Sequence, residues 1–181
     1  MTQKLKYRQF ARFTHWAMAV LVIGMLVIGF LMIQEAVGRS MKNFLFITHK
    51  NVGVLLLMLI AARIAYRWLH PPRLSPVELP AMQKLAARLT HIGLYGFLLI
   101  MPLTGYIRVR AGGFPIEALD KLGIPAFVPR SNELADAAKV IHFYGSYAIA
   151  GLILAHLSAA AFHGIVRQDG IFSRMWPPIG K

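Results

Sequence analysis

From Phe13 to Ile33 the chain runs without an Asp, Glu, Lys or Arg. At about 1.5 Å per helical residue such a run spans the roughly 30 Å hydrocarbon core of a bilayer. Within lipid a backbone satisfies its hydrogen bonds only as a helix or a closed barrel, and a run this continuous is a helix. Three more stretches qualify: His49 to about Trp68, interrupted by Arg63 and Arg67; Leu89 to Ile107, with Pro102 inside it; and Val140 to Val166. The expected fold class is therefore an all-α membrane protein, a four-transmembrane-helix bundle in one domain (1–181). Composition agrees: 57% of residues are hydrophobic and 15% charged, whereas a soluble domain carries about 25% charge. Lys4, Lys6, Arg8 and Arg12 precede the first run as in a secretory signal, but that run is longer than a signal core and no small-x-small cleavage site closes it, so it reads as a retained span.

The formal charge of +13 would suit a nucleic-acid binder, but the basic residues lie mostly between the apolar runs, where membrane topology accounts for them and no nucleic-acid partner is needed. Twelve of the 20 basic residues fall on one side (Lys4, Lys6, Arg8, Arg12; Arg63, Arg67, Arg73, Lys84, Arg88; Arg167, Arg174, Lys181). By the positive-inside rule both termini face the cytoplasm. Residues 34–48 then form a short outer loop and His70 to Arg88 an inner one, broken by Pro71, Pro72, Pro76 and Pro80. Ala111 to Lys139 is the longest loop, ending where Ser131 or Asn132 caps a helical lead-in to the fourth span. The chain has no cysteine, which excludes disulfides, thiolate zinc sites, cysteine-held iron–sulfur clusters and covalent c-type haem attachment.

Six of the seven histidines, His70 excepted, lie in or at the ends of spans. An imidazole in lipid is costly without a partner. His49 and His142 belong near the outer face, His15 and His156 near the inner one. His142 and His156 are fourteen residues apart, a rise of about 21 Å that returns to within about 40° of the same helix face. One helix thus offers an imidazole to each leaflet. A haem iron held by two histidines takes them from different helices at equal depth, and His49 with His142 and His15 with His156 meet that condition, so two stacked b-type haems follow. His91, at the inner start of the third span, competes with His15 as the inner ligand. A closed tetrahedral metal site built from His15, His91, His156 and His163 is the rival arrangement. His163, about 10 Å below His156, suits a quinone carbonyl or a haem propionate, and otherwise an interfacial position. Arg63, at the depth of the inner pair, suits a propionate clamp or a side chain snorkelling to the headgroups. Gly53 and Gly145, one turn from His49 and His142, offer a porphyrin room to approach.

The segments R-F-T-H-W at Arg12–Trp16, I-T-H-K-N-V-G at Ile47–Gly53, Arg63 and Arg67 followed by H-P-P, L-T-H-I-G-L-Y in the third span, and I-H-F-Y-G with A-H-L-S-A-A-A-F-H in the fourth resemble the bacterial cytochrome b561 family over nearly the whole chain. The resemblance implies a multi-pass dihaem cytochrome of the bacterial inner membrane that exchanges electrons with ubiquinone. It also implies His15 and His156 as inner ligands, His49 and His142 as outer ones, and His163 near quinone. Some members resemble superoxide oxidases. An anionic superoxide would be drawn to the outer haem by Arg39, Lys42, Lys50, Arg108, Arg110 and Lys139, while His163 or His91 relays protons to quinone. The chain resembles more distantly the haem-bearing anchor subunits of hydrogenases and formate dehydrogenases, which would add a peripheral dehydrogenase subunit as partner. A haem-free proton-coupled transporter would use the same histidines as relays.

Overall fold

The computed structural model describes residues 6–72, 74 and 77–180. Lys4, Arg73, Pro76 and Lys181, which enter the charge and loop arguments above, lie outside the described residues. Each apolar run is a helix, and each helix is longer than its run: α1 (Gln9–Leu31), α2 (Arg39–Leu69), α3 (Ala81–Ala111) and α5 (Asn132–Ala161), with a short α4 (Glu117–Lys121) between the last two. All four long helices have the length and hydropathy to cross a membrane.

Much of what was expected as loop is helical. α2 starts at Arg39 rather than His49 because no breaker follows Gly38 and Met41, Phe44, Leu45 and Phe46 continue its apolar surface. α3 starts directly after Pro80, whose φ of −53° is already helical. Pro102 lies inside α3 without ending it. α5 begins where expected of Ser131, whose Oγ accepts the Leu134 N–H at 3.2 Å. After Ala161 the helix loosens into a π-helical turn, Phe162–Arg167, and Gln168 in the left-handed region (φ 51°) reverses the chain.

Close-packed seams run between α3 and α5, α1 and α2, and α2 and α3. No comparable seam joins α5 to α1 or α2. The bundle is thus two helix pairs hinged along α2 and α3, and α5 faces α1 and α2 at a greater separation.

At one end of the bundle the lead-in to α1 meets the C-terminal tail. Tyr7 N–H donates to the Arg174 carbonyl at 3.1 Å and the Trp16 indole to that of Met175 at 3.0 Å. Arg12, only 4% exposed, donates to the carbonyls of Pro177, at 2.8 Å, and Gly180. A buried guanidinium requires acceptors, and the tail supplies them. Toward the opposite end, α4 is pinned to α2 at the level of His49 and to the end of α3: Lys50 Nζ pairs with Glu117 at 2.7 Å and Arg110 with Asp120 at 2.6 Å. Asn51 accepts the Ala118 N–H and donates to the other Glu117 oxygen, both at 2.8 Å.

Candidate functional site

α2 and α5 both start at the loop end, and His49 and His142 each lie ten residues beyond the first residue, Arg39 and Asn132. Equal counts mean equal depth, about 15 Å along each helix. Their ring centres are 6.2 Å apart with planes at 76°. At the terminal end, His15 of α1 meets His156 of α5 with ring centres 6.1 Å apart and planes at 79°. The two pairs have nearly the same geometry, and both span the wide side of the bundle.

An iron between two imidazole nitrogens, at about 2 Å from each and with about 1 Å more to each ring centre, separates the centres by about 6 Å. Both pairs match that spacing. The His142 ring is oriented by its Nδ1–H, which donates to the Met101 carbonyl at 2.9 Å with Thr104 Oγ1 at 3.1 Å. That leaves Nε2 as the basic nitrogen, the tautomer a metal ligand needs. Thr104 spends its own hydroxyl proton on the Ile100 carbonyl at 2.8 Å. The Nδ1 of His49 is buried with no hydrogen-bond partner among the described residues.

Gly29 and Gly105 make room for these rings. A Cβ at Gly29 would lie 3.2 Å from His49 Cε1, and one at Gly105 3.2 Å from His142 Cε1. Gly145 instead admits Met101, whose sulfur would be 2.7 Å from an added Cβ, and Gly53 faces Met25 at 3.7 Å. At both positions the nearest side chain comes from an adjacent helix.

His91 is exposed, its Nδ1–H donates to the Ala87 carbonyl at 2.6 Å, and its ring meets His156 edge-on at 5.3 Å. His70 caps α2 and stacks on Tyr66 at 4.5 Å. Arg63 is 8% exposed and donates through Nη1 to the Ala11 carbonyl and Thr14 Oγ1, each at 2.8 Å, so it ties α2 to α1 one turn before His15. Among the described residues no three His, Asp or Glu side chains are grouped as a metal site would require.

His163, in the π-helical turn, donates from Nδ1 to Asp169 at 2.7 Å, with Arg167 Nε 3.4 Å from the same oxygen. Burial raises the Asp169 carboxyl, but His163, the Ile171 N–H and Arg167 outweigh it and hold the group below its ordinary value. Asp169 went unnoticed in the sequence; its signal was an acid six residues beyond a span-end histidine.

Of the loop-end cations, Lys50 and Arg110 are tied to Glu117 and Asp120, with side chains 8% exposed in each case. Arg39, Lys42, Arg108 and Lys139 make no ion pair among the described residues. Arg108 lies within electrostatic reach of both His49 and His142.

Residues 6–178 match the family model described as prokaryotic cytochrome b561. The chain is 30% identical over 164 residues to Cytochrome b561 homolog 2 of Escherichia coli (strain K12), covering 89% of this chain and 86% of that protein. It is 33% identical over 132 residues to Cytochrome b561 homolog 1 of the same organism, covering 72% and 73%.

Proposed function

The chain belongs to the prokaryotic cytochrome b561 family, multi-pass bacterial membrane proteins that bind haem b, and from that premise we propose that it is a dihaem cytochrome carrying electrons across the inner membrane from periplasmic superoxide to ubiquinone. One observation carries the reading: two imidazole pairs, 6.2 Å and 6.1 Å between ring centres, stand at two levels of one bundle and share α5. His49 and His142 would hold the outer haem and His15 and His156 the inner one. His91 meets His156 at 5.3 Å, closer than the about 6 Å of an iron-bridged pair, which favours His15 as the inner ligand. Arg63, within electrostatic reach of His15, would pair with a propionate there.

When bound, the haems supply two one-electron carriers in series. The positive-inside bias places the terminal end in the cytoplasm and α4 in the periplasm. On that side Arg39, Lys42, Arg108 and Lys139 would attract superoxide, while Lys50 and Arg110, largely neutralised by their acids, order the loop around the entrance. Two superoxide anions lose one electron each to become dioxygen, and one quinone takes both electrons with two cytoplasmic protons to become quinol. His91 and His163 stand at the terminal end, where those protons would enter, and the exposed His91 lies beside the inner pair, within reach of an arriving quinone.

The test is a reduced-minus-oxidised spectrum with haem quantitation, followed by rapid mixing with superoxide and a ubiquinone analogue. Two haem b per chain, superoxide-driven reduction and slowing by added salt are expected. A colourless protein overturns the cytochrome reading. Two haems inert to superoxide, with a second subunit co-purifying, would replace it with the membrane-anchor reading.

A further inference from the structure

The π-helical turn at the end of α5 and the reversal at Gln168 bring Asp169 back beneath His163. Burial is substantial on both sides, with side chains 12% and 16% exposed. The Asp169 oxygens are fully engaged: Oδ2 takes the His163 Nδ1–H at 2.7 Å and faces Arg167 Nε at 3.4 Å, while Oδ1 takes the Ile171 N–H at 3.2 Å. Arg167 is held in turn by Gln83 of α3 at 2.9 Å. Gly164 lets Phe172 close against the turn, since an added Cβ would lie 3.2 Å from that ring. An α-helix continuing past Ala161 would carry residue 169 away from His163 along the axis, so the irregular backbone is what creates this pair.

We propose that Asp169 is a positioning residue for proton transfer at the cytoplasmic end: it fixes His163 with Nδ1–H on the carboxylate and Nε2 as the exchanging nitrogen. The proposal rests on the quinone reading above. A carboxylate behind an imidazole locks the tautomer and stabilises the imidazolium without itself taking the proton. In each cycle the imidazolium would give its Nε2–H to the carbonyl oxygen of a quinone being reduced. The neutral ring keeps Nδ1–H on Asp169 and regains its Nε2 proton from cytoplasmic water. Arg167 keeps the carboxylate ionised and in place.

The holoprotein tests this in two ways. In histidine-labelled, fully reduced protein, nitrogen NMR is expected to show His163 as the Nδ1–H tautomer in the wild type and a tautomer mixture in Asp169→Ala. Haem reduction by a short-chain ubiquinol is expected to slow about 10-fold or more in Asp169→Ala, with haem content and Soret spectrum retained, and to recover in part in Asp169→Glu. A wild-type rate in Asp169→Ala, or the Nε2–H tautomer in the wild type, overturns the proposal. So does loss of haem in both variants, because the role would then be structural. If wild-type haem is not reduced by ubiquinol at all, the quinone reading fails and takes the proposal with it, an outcome distinct from failure of the variant alone.

Discussion

The two histidine pairs share a ring-centre distance to within 0.1 Å, yet they are held by different means. At the loop end, side chains and backbone aim the ring of His142: Thr104 and Met101 fix one nitrogen, and Gly105 clears its edge as Gly29 clears that of His49. At the terminal end no hydrogen bond among the described residues holds His15 or His156. That level is closed instead from below, by Arg12 and Trp16 gripping the C-terminal tail and by Arg63 tying α2 to α1. Similar imidazole geometry can therefore be reached by orienting a ring directly or by fixing the helices that carry it. The first device places its sensitivity in one or two atoms, the second spreads it over a segment far away in sequence.

Removal of a ring gives the largest effect and tests whether the levels are separable. His49→Ala or His142→Ala is expected to lower haem from about two to about one per chain, and His15→Ala or His156→Ala to remove the other. Pyridine haemochrome quantitation of each purified variant is the check. Loss of both haems on any single replacement would show one cooperative unit. Retention of both in His15→Ala, with loss of one in His91→Ala, would move the inner ligand to α3.

Depth arithmetic made this pairing legible before any coordinates. Lipid forbids idle polar groups, and a fixed rise per residue converts sequence position into height, so His49, His142, His15 and His156 could be sorted by level. Hydropathy sees only the part of a helix that lipid covers, which is why the extensions from Arg39 and Ala81 read as loop, whereas the capping residue Ser131 marks the one from Asn132. Gly29 and Gly105 could not be singled out, because their value depends on which ring packs across from them. The partnership of Asp169 with His163 was hidden for a related reason: it needs a π-helical turn and a left-handed Gln168, neither of which has a distinctive local signature. Arg12 counted only as a topogenic charge, although the tail makes it the best-buried cation described in the chain.

Arg12→Ala sharpens the comparison from the terminal side. It removes two charge-assisted hydrogen bonds to the tail, at about 1.5–3 kcal/mol each, so a loss of about 3 kcal/mol in stability is expected. Limited proteolysis should cut beyond Asp169 faster, and the inner haem should be released on heating before the outer one. Simultaneous release would mean that the tail braces the whole bundle rather than one level.

Thr104→Val probes the opposite device and should do less, because the Met101 carbonyl still accepts the His142 Nδ1–H. A weaker hydrogen bond makes the imidazole a poorer electron donor, so the outer haem potential should rise by a few tens of millivolts, well inside the about 59 mV of a tenfold one-electron change. Potentiometric titration should show the inner haem unmoved. Equal shifts in both would mean that Thr104 acts through helix position and not through the ring.

The smallest effect is expected at the loop-end ion pair, where pH shows whether α4 braces the outer level. Burial favours the neutral form of Glu117, but hydrogen bonds from Lys50 and Asn51 outweigh it, so its folded value lies below the ordinary 4.5. A depressed carboxyl contributes stability that is complete above the unfolded value and is lost as pH falls through the folded one. Glu117→Gln should therefore lower the thermal midpoint at pH 7, by an amount equivalent to about 1 kcal/mol or less for a pair with one partner 31% exposed. That difference should persist down to pH 4.5 and shrink only below it. Should the outer haem potential follow the same titration, α4 reaches the haem through Lys50, which adjoins His49. If only the thermal midpoint responds, the loop is a roof, and the ring of His142 is held by Thr104 and Met101 alone.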